Sequence, residues 1–240
     1  MKVVILAGGF GSRLSEETKL RPKPLIDICG KPLLWHIMKI YSFYGFNDFI
    51  ICAGYLGEMI DNYFLNNQNI LINNKWNVKI IDTGKKTNTG GRIKRIYNEI
   101  KQEDYFCMTY GDGLANVNIK KLVDFHLDQK SLCTITCVKP PARYGSAIIE
   151  ENKVIDFKEK IDSGGFINGG FFVMSPKVID YINNDRNSFE FDVLPKLAKL
   201  NSLTAYKHYD FWYAVDTIRE KSFIENLWNT KKAKWKIWED

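Results

Sequence analysis

The stretch Val3-Val4-Ile5-Leu6-Ala7-Gly8-Gly9-Phe10-Gly11-Ser12-Arg13 joins a continuous apolar run to a glycine-rich loop. An apolar run that ends in turn residues is typical of a strand buried on both faces. Glycines after such a strand let the backbone approach a ligand closely and turn its N–H groups toward it. The loop lacks both the Gly-Lys-Ser/Thr of a P-loop and, at Leu14, the third glycine of a dinucleotide fingerprint. By itself it therefore fits a structural turn as well as a phosphate site.

Outward from this strand, apolar runs alternate with helical spacing through the first half of the chain. The predicted strands are Val3–Leu6, Phe49–Ala53, Val78–Ile81 and Tyr105–Thr109. The predicted helices are Pro32–Tyr44, Gly57–Phe64, Arg92–Ile100 and Ile119–Leu127. This alternation predicts an α/β fold with a mostly parallel sheet that is covered on both faces.

The second half of the chain is richer in short strands. We predict strands at Thr134–Val138, Ala147–Ile149, Val154–Phe157, Gly170–Met174, Leu203–His208 and Phe211–Ala214. Helices are predicted at Pro176–Ile182, Phe189–Leu200 and Thr217–Trp228. Because no linker-like stretch divides the halves, we expect one domain over residues 1–240, with halves at about 1–130 and 131–240.

Composition argues against several classes of protein. The 240 residues include 34 basic and 28 acidic side chains, and the basic ones are scattered except at Lys231, Lys232, Lys234 and Lys236. A nucleic-acid binder usually gathers its positive charge on one face. No apolar run reaches the ~18 residues of a membrane span, and the five cysteines form no CxxC pair, which indicates reduced thiols. We expect a cytoplasmic protein without a membrane anchor.

Three charged residues stand at positions suited to a phosphate ligand. Lys23 lies between prolines in Arg21-Pro22-Lys23-Pro24, so it is either a positioned point charge or a lysine in a surface turn. Asp112, in Tyr110-Gly111-Asp112-Gly113, follows the fourth predicted strand, where open α/β sheets bind ligands. Asp216 is either a second magnesium ligand beside Asp112 or a residue that complements the dipole of the last helix.

Two polar segments add candidate binding groups. Thr87-Asn88-Thr89-Gly90-Gly91-Arg92 comes before a predicted helix, where its N–H groups suit a nucleotide, an N-cap turn or both. Glu159-Lys160 and Asn168-Gly169-Gly170 suit an acceptor phosphate and hydroxyls, or equally a salt-bridged surface. The three histidines fall in no such cluster, and His36 and His126 lie inside helical patterns where packing is the expected role.

Taken together, these motifs resemble a known family. In their order and spacing, residues 6–14, 21–24 and Gly30-Lys31-Pro32 resemble the signature of the sugar-phosphate nucleotidyltransferases. Other segments resemble the cytidylyltransferase branch of that family: Ser15-Glu16-Glu17-Thr18, Leu34-Trp35-His36-Ile37-Met38, Asp82-Thr83-Gly84, Thr89–Arg92, Tyr110–Gly113, Ile167–Phe172 and Asp216-Thr217. The resemblance covers nearly the whole chain.

The resemblance implies a Rossmann-like nucleotide-diphospho-sugar transferase fold, with nucleotide binding in the first half and acceptor binding in the second. It implies Mg²⁺ and the transfer of a cytidylyl group from CTP to a sugar 1-phosphate, with glucose 1-phosphate as the expected acceptor. We expect a homo-oligomer that binds neither nucleic acid nor membrane. Another phosphorylated acceptor or another nucleoside triphosphate is an alternative. A regulatory subunit without turnover is disfavoured, because Lys23 and both candidate metal carboxylates are present.

The resemblance also implies roles for individual residues. The expected catalytic residues are Arg13, Lys23 and Asp112, and the expected metal ligands are Asp112 and Asp216. The nucleotide would be bound by Leu6, Ala7, Gly8, Gly9, Phe10, Gly11, Ser12, Arg13, Lys23, Thr89, Gly91 and Arg92. The acceptor would be bound by Tyr144, Gly145, Glu159, Lys160, Asn168 and Gly169.

The chain departs from the family pattern at a few places. Ser12 replaces the usual threonine and keeps the hydroxyl, and the stretch between Tyr63 and Trp76 is shorter than in the branch. Ile161 stands where the acceptor segment usually has proline, and Trp212-Tyr213-Ala214-Val215 replaces a proline-containing run. The acceptor half therefore differs more from the pattern than the nucleotide half does.

Overall fold

The computed structural model describes residues 1–140, 146–151, 153–158 and 165–239. Its strands are β1 (Val3–Leu6), β2 (Asp27–Ile28), β3 (Lys31–Pro32), β4 (Asp48–Ala53), β5 (Asn77–Asp82), β6 (Phe106–Tyr110), β7 (Gly113–Ala115), β8 (Cys133–Val138), β9 (Ser146–Glu150), β10 (Lys153–Lys158), β11 (Ile167–Met174), β12 (Leu203–His208) and β13 (Trp212–Ala214). Its α-helices are α1 (Ser15–Thr18), α2 (Leu33–Phe43), α3 (Gly57–Asn66), α4 (Gln68–Asn74), α5 (Thr89–Arg95), α6 (Tyr97–Ile100), α7 (Ile119–Gln129), α8 (Leu194–Lys199) and α9 (Ile218–Asn229). Single turns of other helix types span Ser12–Leu14, Lys23–Leu25, Pro176–Tyr181 and Phe189–Val193.

Seven strands form the central sheet, in the order β12-β8-β11-β6-β1-β4-β5. Strand β1 pairs in parallel with β4 and β6, and β4 pairs in parallel with β5. Strand β12 is parallel to β8, whereas β11 runs antiparallel to β6 and β8. The mostly parallel α/β sheet predicted from the alternation is confirmed, with an antiparallel strand inserted by the second half.

The two faces of the sheet support separate apolar clusters. Along β1, Val3 and Ile5 belong to one cluster, together with α2 and the C-terminal tail. Val4 and Leu6 belong to the other, together with α5 and α8. Both faces of the strand are thus covered, which explains why its sequence is continuously apolar and does not alternate.

Two predicted helices differ from the observed ones. The helix predicted at Arg92–Ile100 is two helices, α5 and α6, and it begins earlier because Asn88 takes the N-cap position in extended conformation. The helix predicted at Phe189–Leu200 opens as a π-helical turn, Phe189–Val193, before α8. Pro195 in the first turn of α8 has no N–H to donate, which favours an irregular start. The short elements β2, β3, β7 and α4 were not predicted.

Buried histidines and cysteines have packing roles. His36 lies beneath the C-terminal tail, where its Nε2 donates to the Ile28 carbonyl at 3.1 Å and its Nδ1 accepts from Trp235 Nε1 at 3.5 Å. All five cysteines are free, and burial raises the pKa of Cys52 and of Cys107 to about 12. In the described part of the chain, no helix combines the length and apolarity needed to cross a bilayer.

Acidification should destabilise the fold through His36. Burial lowers the pKa of His36 to about 4, whereas an unfolded histidine titrates near ~6.5. The unfolded chain therefore takes up the proton first as the pH falls. The free energy of unfolding should be highest above pH ~6.5 and should lose about 3 kcal/mol from this residue by pH ~4. Urea unfolding across this range measures the slope. The variant His36→Gln should remove one proton's share of it, and an unchanged slope in that variant would contradict the assignment.

Candidate active site

A cleft of about 350 Å³ lies at the carboxyl ends of β1, β5 and β6. This is the edge at which open α/β sheets bind ligands. Its lining includes five basic side chains and two acidic ones: Arg13, Lys23, Lys85, Lys86 and Arg92, against Asp112 and Asp216. The excess of positive charge suits a polyanionic ligand.

The glycine loop after β1 presents its backbone N–H groups to this cleft. Among the described residues, the N–H groups of Gly8, Gly9, Phe10 and Gly11 have no hydrogen-bond partner. Gly11 has a φ of +64°, which favours glycine. A Cβ there would lie 2.7 Å from Thr18 Cγ2. Of the two interpretations left open for this loop, the unpaired N–H groups favour an anion site.

Arg92 braces the glycine loop from behind. Its guanidinium is only 4 % exposed and donates to the Gly8 carbonyl at 2.8 Å, the Ala53 carbonyl at 3.0 Å and Thr83 Oγ1 at 2.7 Å. Burial lowers the pKa of Arg92. The expected direct contact of this side chain with nucleotide is therefore replaced by a supporting role, because its donors are committed to protein oxygens.

Replacing Gly8 by alanine should destabilise this support. A Cβ at Gly8 would lie 2.0 Å from Arg92 Nη1 and 2.9 Å from the Ala53 carbonyl oxygen. Displacing the guanidinium leaves buried carbonyls unpaired, so we expect Gly8→Ala to lose about 2–3 kcal/mol in urea unfolding. Gly9→Ala is the matched control, since a Cβ at Gly9 meets nothing within 4 Å. Equal stability of the two variants would refute the bracing role.

Residues at the start of α5 are also held by protein contacts. Thr89 lines the cleft, but its hydroxyl donates to Glu190 Oε2 at 2.6 Å and accepts from the Phe189 N–H at 2.8 Å. Gly91 does not line the cleft. Its N–H donates to the Asn187 carbonyl at 3.3 Å, and a Cβ would lie 2.5 Å from Asp185 Cα. The expected nucleotide contact of Gly91 is thus corrected to a close-packing role.

Lys23 joins the two candidate metal carboxylates. Its Nζ lies 2.7 Å from Asp112 Oδ2 and 2.5 Å from Asp216 Oδ1, and Arg13 Nη1 lies 2.7 Å from Asp216 Oδ2. Burial by itself would lower the pKa of Lys23, but the two carboxylates outweigh burial and raise it. Lys23 is therefore a buried, positioned cation, which excludes the alternative of a lysine in a surface turn.

The backbone around Asp216 is anchored on both sides. Thr217 caps α9, with its Oγ1 accepting from the Glu220 N–H at 3.3 Å, while Glu220 Oε2 accepts from the Asp216 N–H at 2.7 Å. The Val215 N–H donates to the Asp112 carbonyl at 3.0 Å. Because Thr217 provides the cap, the Asp216 carboxylate is free to face Lys23 and Arg13.

A bulge in β11 shapes the acceptor side of the cleft. The register shifts between Asn168 and Phe172, and Gly170 has a φ of +73°. Asn168 Nδ2 donates to Tyr110 Oη at 3.1 Å, and the Gly169 carbonyl accepts from Trp212 Nε1 at 2.7 Å. Gly169 is buried, and a Cβ there would lie 2.7 Å from Val138 Cγ1, so the expected acceptor contact of Gly169 is replaced by a packing role. The remaining candidates, Tyr144, Gly145, Glu159 and Lys160, lie outside the described residues.

Three residues at or behind the cleft were not predicted. Lys85 and Lys86 line it directly after β5, and their position at a strand end was an available signal. Glu190 lies behind Tyr110, with Oε1 accepting from Tyr110 Oη at 2.6 Å. It offered no sequence signal, because its segment reads as an ordinary helix.

Known proteins share this architecture over their full length. The family model described as "Nucleotidyl transferase" matches residues 2–234. Glucose-1-phosphate cytidylyltransferase of Salmonella typhi is 46 % identical over 257 aligned positions that cover all of both chains. The probable glucose-1-phosphate cytidylyltransferase of Bacillus subtilis (strain 168) is 42 % identical, covering 99 % of this chain and all of the relative. The crystal structure of HddC from Yersinia pseudotuberculosis is 29 % identical with a TM-score of 0.76, covering 95 % of this chain and 99 % of that one. The same protein complexed with GMP-PN is 28 % identical with a TM-score of 0.74 at the same coverage.

Proposed function

This chain belongs to the nucleotidyl transferase family, and from that premise we propose that it transfers a cytidylyl group from CTP to glucose 1-phosphate, giving CDP-glucose and pyrophosphate. The observation that carries the proposal is the 46 % identity to a glucose-1-phosphate cytidylyltransferase over both entire chains. The cleft supports it, because unpaired N–H groups and basic side chains surround the carboxylate pair.

The acceptor needs little activation by the protein. A phosphate monoester is mostly dianionic at pH 7, since its second pKa is near ~6. In the proposed step, an oxygen of glucose 1-phosphate forms a bond to the α-phosphorus of CTP, and the bond from that phosphorus to the bridging oxygen of the β-phosphate breaks. Pyrophosphate leaves with that electron pair. None of the three histidines lines the cleft, which agrees with a reaction that uses no general base.

The protein's task is to hold two anions together and to offset their charge. The N–H groups of Gly8 to Gly11 and the side chain of Arg13 would bind the triphosphate. Lys23 would exchange a carboxylate contact for the α-phosphate as charge develops there. Lys85 and Lys86, which line the same cleft, add positive charge near the bound nucleotide.

We also propose a requirement for Mg²⁺. Asp112 and Asp216 already converge on one cation, since Lys23 Nζ contacts both. This donor set fits Mg²⁺, which takes one or two carboxylates and completes its shell with phosphate oxygens and water. In the part of the chain that the structure describes, no cluster of three or more metal-ligating side chains occurs. Asp112 and Asp216 would hold the ion, whose chemistry is to neutralise and orient the triphosphate.

A substrate screen tests the proposed reaction. Pyrophosphate release should be measured with ATP, CTP, GTP, UTP and dTTP, each against a panel of sugar 1-phosphates. We expect CTP with glucose 1-phosphate to exceed every other pair. Activity of CTP with only a different phosphorylated acceptor would replace the proposed acceptor, and activity with a different triphosphate would replace the base. We further propose a homo-oligomer, which light scattering after gel filtration tests.

A further inference from the structure

Glu190 receives hydrogen bonds from both sides of the cleft. Its Oε1 accepts from Tyr110 Oη at 2.6 Å, and its Oε2 accepts from Thr89 Oγ1 at 2.6 Å and from Ser188 Oγ at 2.8 Å. The residue lies in the π-helical turn Phe189–Val193, and such turns are frequent at functional sites. The carboxylate is thus a common acceptor for three hydroxyl groups.

A directional chain of hydrogen bonds ends at this carboxylate. The Gly170 N–H donates to Asn168 Oδ1 at 2.8 Å, Asn168 Nδ2 donates to Tyr110 Oη at 3.1 Å, and Tyr110 Oη donates to Glu190 Oε1. One end of the chain is a backbone N–H that can only donate. The other end is an ionised carboxylate that can only accept. The direction of every bond between them is therefore determined.

The consequence falls on the amide of Asn168. If this amide turned over, its NH₂ group would face the Gly170 N–H, and its oxygen would face a Tyr110 hydroxyl whose proton is held by Glu190. Both contacts would be lost, so one orientation of the amide is selected. Its remaining N–H and the free lone pair of its oxygen are then presented in a fixed pattern.

We propose that Glu190 is a positioning residue for the acceptor, which acts through Tyr110 to fix the donor and acceptor pattern that Asn168 presents to the sugar phosphate. This inference rests on the proposed function, in which Asn168 contacts glucose 1-phosphate. The packing of Tyr110 supports it: the ring meets Phe172 edge-on, with centroids 5.8 Å apart, and a Cβ at Gly170 would lie 3.2 Å from it. Burial and the Glu190 carboxylate raise the pKa of Tyr110, so its hydroxyl keeps the proton it donates.

The variant Glu190→Gln tests the direction of the chain at nearly constant shape. Glutamine has one accepting oxygen, and the two hydroxyls of Thr89 and Ser188 favour it on their side. Its NH₂ group then faces Tyr110, which must turn its proton toward the NH₂ group of Asn168. The acceptor branch should therefore fail, while the Thr89 branch on the nucleotide side survives.

We expect the KM for glucose 1-phosphate to rise about tenfold or more in Glu190→Gln, equivalent to about 1.4 kcal/mol, with the KM for CTP within about twofold of wild type. Tyr110→Phe breaks the same chain and should give the same split. The double variant should be no worse than either single variant for the acceptor, because both changes interrupt one path. Thermal melting confirms that each variant folds, and Tyr110→Phe carries the test if Glu190→Gln does not fold.

Asp192→Asn is the matched control on the same turn. Its carboxylate accepts from the Ser188 N–H at 2.7 Å and does not touch the Tyr110 chain, so its kinetic constants should match those of the wild type. A KM for glucose 1-phosphate that stays within about twofold in Glu190→Gln, or a KM for CTP that rises equally, would overturn the positioning role while the wild type remains active. A wild type inactive with CTP and glucose 1-phosphate would overturn the proposed function, and this inference with it.

Discussion

Replacing Lys23 by methionine should lower turnover with CTP and glucose 1-phosphate by about 10²–10³-fold, the usual cost of losing one preorganised charge at a transition state. The Nζ group is the only described cation within hydrogen-bond distance of both Asp112 and Asp216. Its loss leaves the α-phosphate without its proposed partner. Pyrophosphate release at saturating substrates measures the effect.

The same variant should bind Mg²⁺ alone more tightly, because the ammonium that competes for both carboxylates has gone. Isothermal titration with MgCl₂ measures this change. Lys221→Met is the matched control, since Lys221 is also partly buried and pairs with a carboxylate, Glu17, at 2.7 Å, outside the cleft. Near-normal turnover of Lys23→Met would show that its role here is wrong.

Replacing Asp112 by asparagine should also reduce turnover by about 10²–10³-fold, while the fold survives. Asparagine keeps the shape of the side chain but removes the negative charge that a magnesium ligand supplies. Lys23 retains Asp216 as a partner, so no buried lysine is left unpaired. Activity measured against MgCl₂ concentration should show a higher requirement for the metal as well as a lower maximum.

Asp210→Asn is the control for this second substitution. The Asp210 carboxylate likewise pairs with a lysine, Lys234, at 2.8 Å, but it does not line the cleft. We expect its metal dependence to match that of the wild type. If Asp112→Asn followed the same curve, Asp112 would not be a metal ligand.

The sheet was largely predictable from the sequence because its signals are local. The continuous apolar runs of β1, β4 and β6 mark strands covered on both faces, and the amphipathic spacing of α2 marks a helix over them. Two kinds of element were missed. The polar helix α4 has no buried residue, and β2 is a two-residue strand whose pairing depends on the rest of the fold.

The site was predictable in its residue types but not in its division of labour. Lys23, Asp112 and Asp216 are brought together as expected, although 193 positions separate the first from the last. The spacing of Arg92 from the glycine loop could not show that its guanidinium lies beneath that loop. Nor could it show that Gly91 packs against Asp185. Such assignments depend on which loops cross behind the cleft, and only the tertiary structure determines that.

The Arg92 guanidinium also limits how far the glycine loop can be transplanted. It contacts oxygens of three strand ends at once, after β1, β4 and β5. A loop of the same sequence grafted onto another parallel sheet would lack this shared clasp, and its N–H groups would have no fixed direction. An engineer who wants to move this phosphate cradle to a new scaffold must therefore carry three loops and one arginine together.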